Sequence, residues 1–217
     1  MRAIAEYPPT TRTSYTQYMF IGNVEVKGLA RLAPMAGISN ASYRIVAREC
    51  GSALTTSEEI DATGLTRKNP KTRYDIAKYL PEEKPIALQI LGAEAEYLVP
   101  GAQWLQDQGA DIIDLNMGCP VQKITKTGRG SAMMKDVQKT AGILEEMRKV
   151  LTVPFTIKIR SGWDEKHLNA VEVAKMAEDV GVDAITVHPR TRSQQFTGLS
   201  KWEMIAQVVD AVNIPIT

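Results

Sequence analysis

Residues 112–120 read IIDLNMGCP, and residues 155–162 read FTIKIRSG. Each is an apolar run too short for a helix of ordinary length, so each reads as a strand. Each also carries its polar side chains toward the C-terminal end. In 155–160, Thr156, Lys158 and Arg160 alternate with Phe155, Ile157 and Ile159, so the polar residues share one face. In a parallel sheet both faces are covered, and a polar residue there needs a partner.

Working outward, similar runs stand at 31–35, 54–58, 86–91 and 184–188, with a last one starting at Ile214. Amphipathic stretches lie between them. In 140–151 the residues Ile143, Leu144, Met147, Val150 and Leu151 form one stripe, with Glu145, Glu146, Arg148 and Lys149 opposite. Trp202, Ile205, Ala206, Val209 and Val212 repeat the pattern. ECGSAL, DQGADII and DVGVDAI place Gly where a helix ends before the next strand. Strand and helix in alternation predict parallel strands joined by right-handed crossovers. The first strand–helix turn, APMAGISNAS, has no G-x-G-x-x-G, which argues against a doubly wound dinucleotide fold. Polar residues at the strand C-termini match the active face of a (β/α)8 barrel, the fold expected here. The seventh strand has barely begun at Thr217, so about six and a half βα units are expected, a barrel incomplete at its C-terminus. Residues 1–19 read as a flexible tail. Residues 20–27, turning at Gly22-Asn23, read as a hairpin capping the barrel bottom, and 20–217 as the partial barrel domain.

Composition narrows the class. Of 217 residues, 44% are hydrophobic and 24% charged, as in ordinary globular proteins. No apolar run reaches membrane-spanning length. Two cysteines make no disulfide framework and point to a reducing cytoplasm. The net charge of +1 conceals an uneven distribution. Residues 64–78, 119–135 and 188–201 carry +4, +4 and +3, leaving −10 elsewhere. If these windows share one face, that face attracts an anion.

Five polar residues at strand ends are candidates for one site: Gln89, Asn116, Lys158, Arg160 and His188. A flat, polar-edged anionic cofactor would satisfy them together. The competing reading is internal pairing, with Lys158 or Arg160 meeting Asp114 or Glu58. Cys119 follows strand four directly, between Gly118 and Pro120, as a candidate nucleophile, metal ligand or proton donor. A metal site is not expected, since no second Cys is near and the histidines are only His167 and His188. Cys50 reads as a buried structural thiol below Tyr43, Val46 and Ala47. The loop VQKITKTGRGSAMMKD, with Lys123, Lys126 and Arg129, reads as a mobile basic lid.

LAPMAGISNASYR, PIALQILG, GADIIDLNMGCPVQKITKTGRGSAMMKD, PFTIKIRSGWD and ITVHPRTRSQQFTG together resemble the tRNA-dihydrouridine synthase family, in family order. The resemblance spans about residue 21 to the C-terminus. It implies an FMN-bound TIM barrel that reduces uridine in tRNA to 5,6-dihydrouridine with NADPH. It implies Pro34, Met35 and Ala36 against the flavin, Gln89 and Lys158 at its polar edge, and His188 near its phosphate side. Cys119 would be the general acid, and Asn116 and Arg160 would contact the uracil. The basic windows, with Lys123, Arg129, Arg190 and Arg192, would grip the tRNA. A cytoplasmic monomer without metal or membrane attachment is implied. The Asn-Gly-Asp and Gly-Arg segments that bind the flavin phosphate in the family, and its helical tRNA-binding domain, are not in this sequence, and His188-Pro189 replaces the usual His-Gly. The 217 residues alone are therefore expected to be poorly active. Alternatives are another FMN barrel of the dihydroorotate or dihydropyrimidine dehydrogenase type, and a non-catalytic RNA-binding remnant.

Overall fold

The computed structural model describes residues 18–217. Strands β1 (Tyr18–Ile21) and β2 (Val24–Lys27) form an antiparallel hairpin across Gly22-Asn23. The hairpin starts two residues earlier than the sequence reading placed it, because Tyr18 pairs with Lys27 and Met19 with Val26. The rest of the expected tail lies outside the described residues.

The main sheet is parallel throughout. It holds β3 (Arg31–Leu32), β4 (Leu54–Thr56), β5 (Ile60–Asp61), β6 (Ile86–Leu91), β7 (Ile112–Met117), β8 (Phe155–Arg160) and β9 (Ala184–His188). Spatial order follows chain order, β3-β4-β6-β7-β8-β9, with β5 pairing the far end of β6. A doubly wound sheet reverses its strand order at a switch point. None occurs here, and the arc is that of an incomplete (β/α)8 barrel. Ile216 joins β9 in parallel, with the Thr217 N–H donating to the Ile185 carbonyl at 2.9 Å.

The helices are α1 (Ala41–Glu49), α2 (Ala62–Thr66), α3 (Ala95–Asp107), α4 (Gln122–Thr125), α5 (Val137–Val150), α6 (Ala170–Val180) and α7 (Glu203–Ala211). Period-two alternation decides what each strand face meets. Leu88, Ile90, Leu115, Met117, Ile157, Ile159 and Ile185 join one core with Leu98, Leu105, Leu144, Met147 and Val173 of the helices. The opposite strand faces form the lumen. At its lower end Ile21 and Val26 of the hairpin pack on Leu54, Ala87, Ile112 and Ala184, so the hairpin does plug the barrel bottom. Above that apolar plug the lumen becomes polar. Gly181 ends α6 at φ +92°, as the sequence pattern required.

Two expectations fail around α1. Cys50 is exposed, not buried. Tyr43 and Val46 are exposed as well, while Arg44 on the same helix is 1% exposed. The face of α1 turned inward carries Arg44, whose guanidinium meets the buried Glu83 carboxylate and the carbonyls of Ser39 (2.6 Å) and Lys78 (3.0 Å). An apolar stripe was the wrong guide because a fully paired Arg fills that place. The basic loop also differs from a free lid. It folds into α4 and a tighter helical turn, Gly130–Lys135, that buries Met133 and Met134.

Candidate active site

The polar residues of the lumen fall on adjacent rungs. Gln89 is in register with Asp114, Asn116 with Lys158, and Arg160 with His188. Alternation and register together bring side chains from four strands to one height. They line a cleft of about 510 Å³ at the C-terminal end of the strands, bounded also by Pro34, Met35, Ala36, Glu59, Cys119 and Phe196.

One side of this cleft is a closed hydrogen-bond network. The Gln89 amide donates to Asp114 (2.7 Å) and accepts from the Asn116 Nδ2 (2.9 Å). Thr156 donates its hydroxyl to the other Asp114 oxygen at 2.6 Å. Asn116 Nδ2 also donates to Glu59 at 3.0 Å. Burial pushes the Asp114 carboxyl above its ordinary range, against the bonds from Gln89 and Thr156 and the Lys158 charge.

Asn116 also shapes the turn that presents Cys119. Its Oδ1 accepts from the backbone N–H of Gly118 (3.1 Å) and of Cys119 (2.9 Å). Gly118 needs no left-handed conformation, since this side chain makes the turn. The glycine the turn does need is Gly130, at φ +61°, where a Cβ would come within 2.7 Å of the Cys119 carbonyl. That carbonyl accepts from the Ser131 hydroxyl at 2.9 Å. Burial raises the half-buried thiol above the usual cysteine range. The facing Glu59 raises it further, against a backbone N–H and the Arg160 charge. The sulfur is held as a thiol, not a thiolate.

The other side is cationic. Arg160 is 2% exposed and donates Nε to the Gly118 carbonyl (2.8 Å) and Nη1 to the carbonyls of Thr191 (3.0 Å) and Gln195 (2.8 Å). Burial lowers it to about 10, still charged at neutral pH. Lys158 has no hydrogen-bond partner among the described residues, and burial lowers it against the attraction of Asp114. The internal pairing considered from sequence is therefore not made: Arg160 takes carbonyls, and Glu58 accepts from the Gly37 N–H instead. His188 is lowered to about 4 by burial and by the charges of Arg160, Lys158 and Arg190, so its ring is neutral.

Pro34, Met35, Ala36, Gln89, Asn116, Cys119, Lys158, Arg160 and His188 thus meet in one cleft. The basic loop residues do not. Lys123 is exposed on α4. Arg129 leans away to Asp61 at 2.5 Å, because that carboxylate caps the adjacent α2. Arg190 lies at the rim, 3.3 Å from His188. Arg192 lies over the Trp163 ring and 3.5 Å from the Thr125 hydroxyl, which brings the second and third basic windows into contact. Glu59 was missed. Its signal was available: two acids, Glu58 and Glu59, follow directly on an apolar strand end. Among the described residues no group of His, Cys, Asp and Glu could hold a metal ion, and no helix is long and apolar enough to cross a membrane.

The sequence model of the family described as "Dihydrouridine synthase (Dus)" matches residues 31–217. The chain is 37% identical over 203 residues to tRNA-dihydrouridine synthase B of Xanthomonas axonopodis pv. citri, covering 91% of this chain and 59% of that protein. It is 36% identical over 196 residues to a probable tRNA-dihydrouridine synthase of Rickettsia prowazekii, covering 90% and 60%. The chain thus spans about three-fifths of the length of these relatives. Among solved structures, mandelate oxidase with (S)-2-phenylpropionate is similar at a TM-score of 0.57 and 16% identity, covering 94% of this chain and 61% of that one, a likeness of fold alone. A family match over nearly all the described residues, on a barrel whose strand ends converge on one cysteine, has one consequence: this chain belongs to the dihydrouridine synthase family.

Proposed function

We propose that the protein reduces uridine to 5,6-dihydrouridine in tRNA, with Cys119 as proton donor. The single observation carrying this reading is the placement of the Cys119 thiol in the same cleft as Lys158, which meets no hydrogen-bond acceptor among the described residues. The donor set fits FMN. Among the described residues Lys158 meets no acceptor and Gln89 keeps one N–H unused, and the cleft is cationic on one side, as an anionic, polar-edged ring requires. Bound there, FMN would supply the two electrons that reduce the uracil 5,6 double bond, and NADPH would restore them.

The chain's own residues do the rest. Lys158 and Gln89 would hold the polar edge of the cofactor, with Pro34, Met35 and Ala36 beside it. Neutral His188, with Arg190 beside it, would take its phosphate side. Asn116 fixes the Cys119 loop and presents an amide to the uracil, while Arg160 has Nη2 left for the base. Cys119 hands its proton to uracil C5, and a thiol raised above its ordinary range keeps that proton at neutral pH. The target nucleotide must leave its stack to reach the cleft. Phe196, 71% exposed at the mouth above Arg160, offers it an aromatic surface. Lys123, Arg190 and Arg192 contact the phosphate backbone, which makes affinity salt-dependent. The protein works as a cytoplasmic monomer.

Cys119→Ala tests the reading. In the native protein, FMN reduction by NADPH stays at the wild-type rate, and dihydrouridine in tRNA, read by mass spectrometry, falls by roughly 100-fold or more. Normal dihydrouridine formation by the variant would overturn it.

A further inference from the structure

We infer that Glu59 is the proton reservoir of Cys119, returning a proton to the sulfur after each turnover. The inference rests on the reading above. The residue stands on the segment between β4 and β5, where the sheet shifts its pairing along β6. One side chain, Asn116, ties the two groups together: its Nδ2 donates to the Glu59 carboxylate at 3.0 Å, and its Oδ1 holds the Cys119 N–H at 2.9 Å. Both groups line the same cleft, and the carboxylate acts on the thiol.

The surrounding charges are asymmetric. Glu58, Asp61 and Arg129 act on Glu59, and Arg160 and Lys158 act on Cys119. Burial raises the Glu59 carboxyl above the usual range, so it carries a proton closer to neutrality than an exposed Glu. A thiolate and a carboxylate facing each other in a half-buried cleft repel, so the pair favours holding at least one proton.

The step balances without any oxidant. The Cys119 S–H bond breaks as the bond from hydrogen to uracil C5 forms, leaving a thiolate. The Glu59 O–H bond then breaks as S–H reforms, and the carboxylate takes a proton from water at the cleft mouth. The two electrons of the reduction enter separately, by the route already described.

The test titrates Cys119 by its alkylation rate with iodoacetamide, in a Cys50→Ser background because Cys50 is exposed. Wild type, Glu59→Gln and Glu59→Asp are compared across pH. Gln keeps an acceptor for Asn116 but loses the charge and the proton. The apparent thiol pKa in Glu59→Gln falls by about one unit, roughly tenfold faster alkylation at a fixed pH below it, while Glu59→Asp stays close to wild type. With tRNA, the first turnover of Glu59→Gln proceeds normally and later turnovers slow, most strongly at high pH. An unshifted titration, or first and later turnovers slowed equally, overturns the reservoir role. An unshifted titration beside an inactive Cys119→Ala overturns that role alone. A Cys119→Ala variant with normal product overturns the reaction reading and the reservoir with it.

Discussion

Two cations of this molecule sit inside the fold in different ways, Arg44 buried and Lys158 half-buried. Arg44, under α1, meets the Glu83 carboxylate and two carbonyls, and Glu83 in turn accepts from the Leu80 N–H at 2.7 Å. Lys158, at the floor of the cleft, meets no hydrogen-bond acceptor among the described residues, since Asp114 is already held by Gln89 and Thr156. The first region is complete within the protein and serves the fold. The second leaves a charge without a near partner, a cost that a structural role does not justify. The difference separates a residue that holds the barrel together from one that waits for a ligand.

The largest effect should come from breaking the first region. Glu83→Ala strips Arg44 of the one carboxylate it meets among the described residues and leaves an uncompensated buried charge. The expected loss is about 3–5 kcal/mol of unfolding free energy. Urea denaturation measures it, and a loss below about 1 kcal/mol would show that Arg44 relaxes into water and is no structural counterpart to Lys158.

Lys158→Met reverses the pattern. Without a ligand, the variant should be as stable as wild type or more so, because an ammonium with no acceptor is replaced by an apolar chain of similar length. Its affinity for FMN should fall by roughly tenfold or more, the worth of a charge-assisted hydrogen bond. Fluorescence titration with FMN reads the affinity and thermal melting the stability. A variant that is less stable yet binds FMN normally would move Lys158 into the same category as Arg44.

The same contrast explains what could be read from the chain beforehand. β6, β7, β8 and β9 are legible to the residue because alternation and burial coincide in them. β3 and β4 are shorter than the runs read at 31–35 and 54–58: Ala33, Pro34 and Met35 leave the ladder and wall the cleft, as Glu59 does beyond β4. The converging amide, ammonium and imidazole groups were visible as polar residues at strand ends. Hidden from sequence were partners set by tertiary contact: Glu83 for Arg44, Asp61 for Arg129, and Glu59 for Cys119. An ion pair between residues 39 positions apart has no local periodicity to reveal it.

The smallest effect concerns His188, which burial and the neighbouring cations hold neutral. Its folded value, about 4, lies below the 6.5 of the free side chain. Between those values the unfolded chain binds the proton and the folded one does not, so stability falls as pH drops from about 6.5 toward 4. The effect is modest, because the ring is only half-buried and solvent screens part of it. His188→Asn removes this contribution and leaves Asp114 and Glu59, whose raised values act in the opposite sense, common to both proteins. The urea midpoint near pH 4.5 minus that near neutrality should therefore be more negative in wild type than in the variant. Equal spacing would mean that Lys158, Arg160 and Arg190 do not act on His188 as one positive field, and the cationic side of the cleft would lose its claim to draw an anionic ligand.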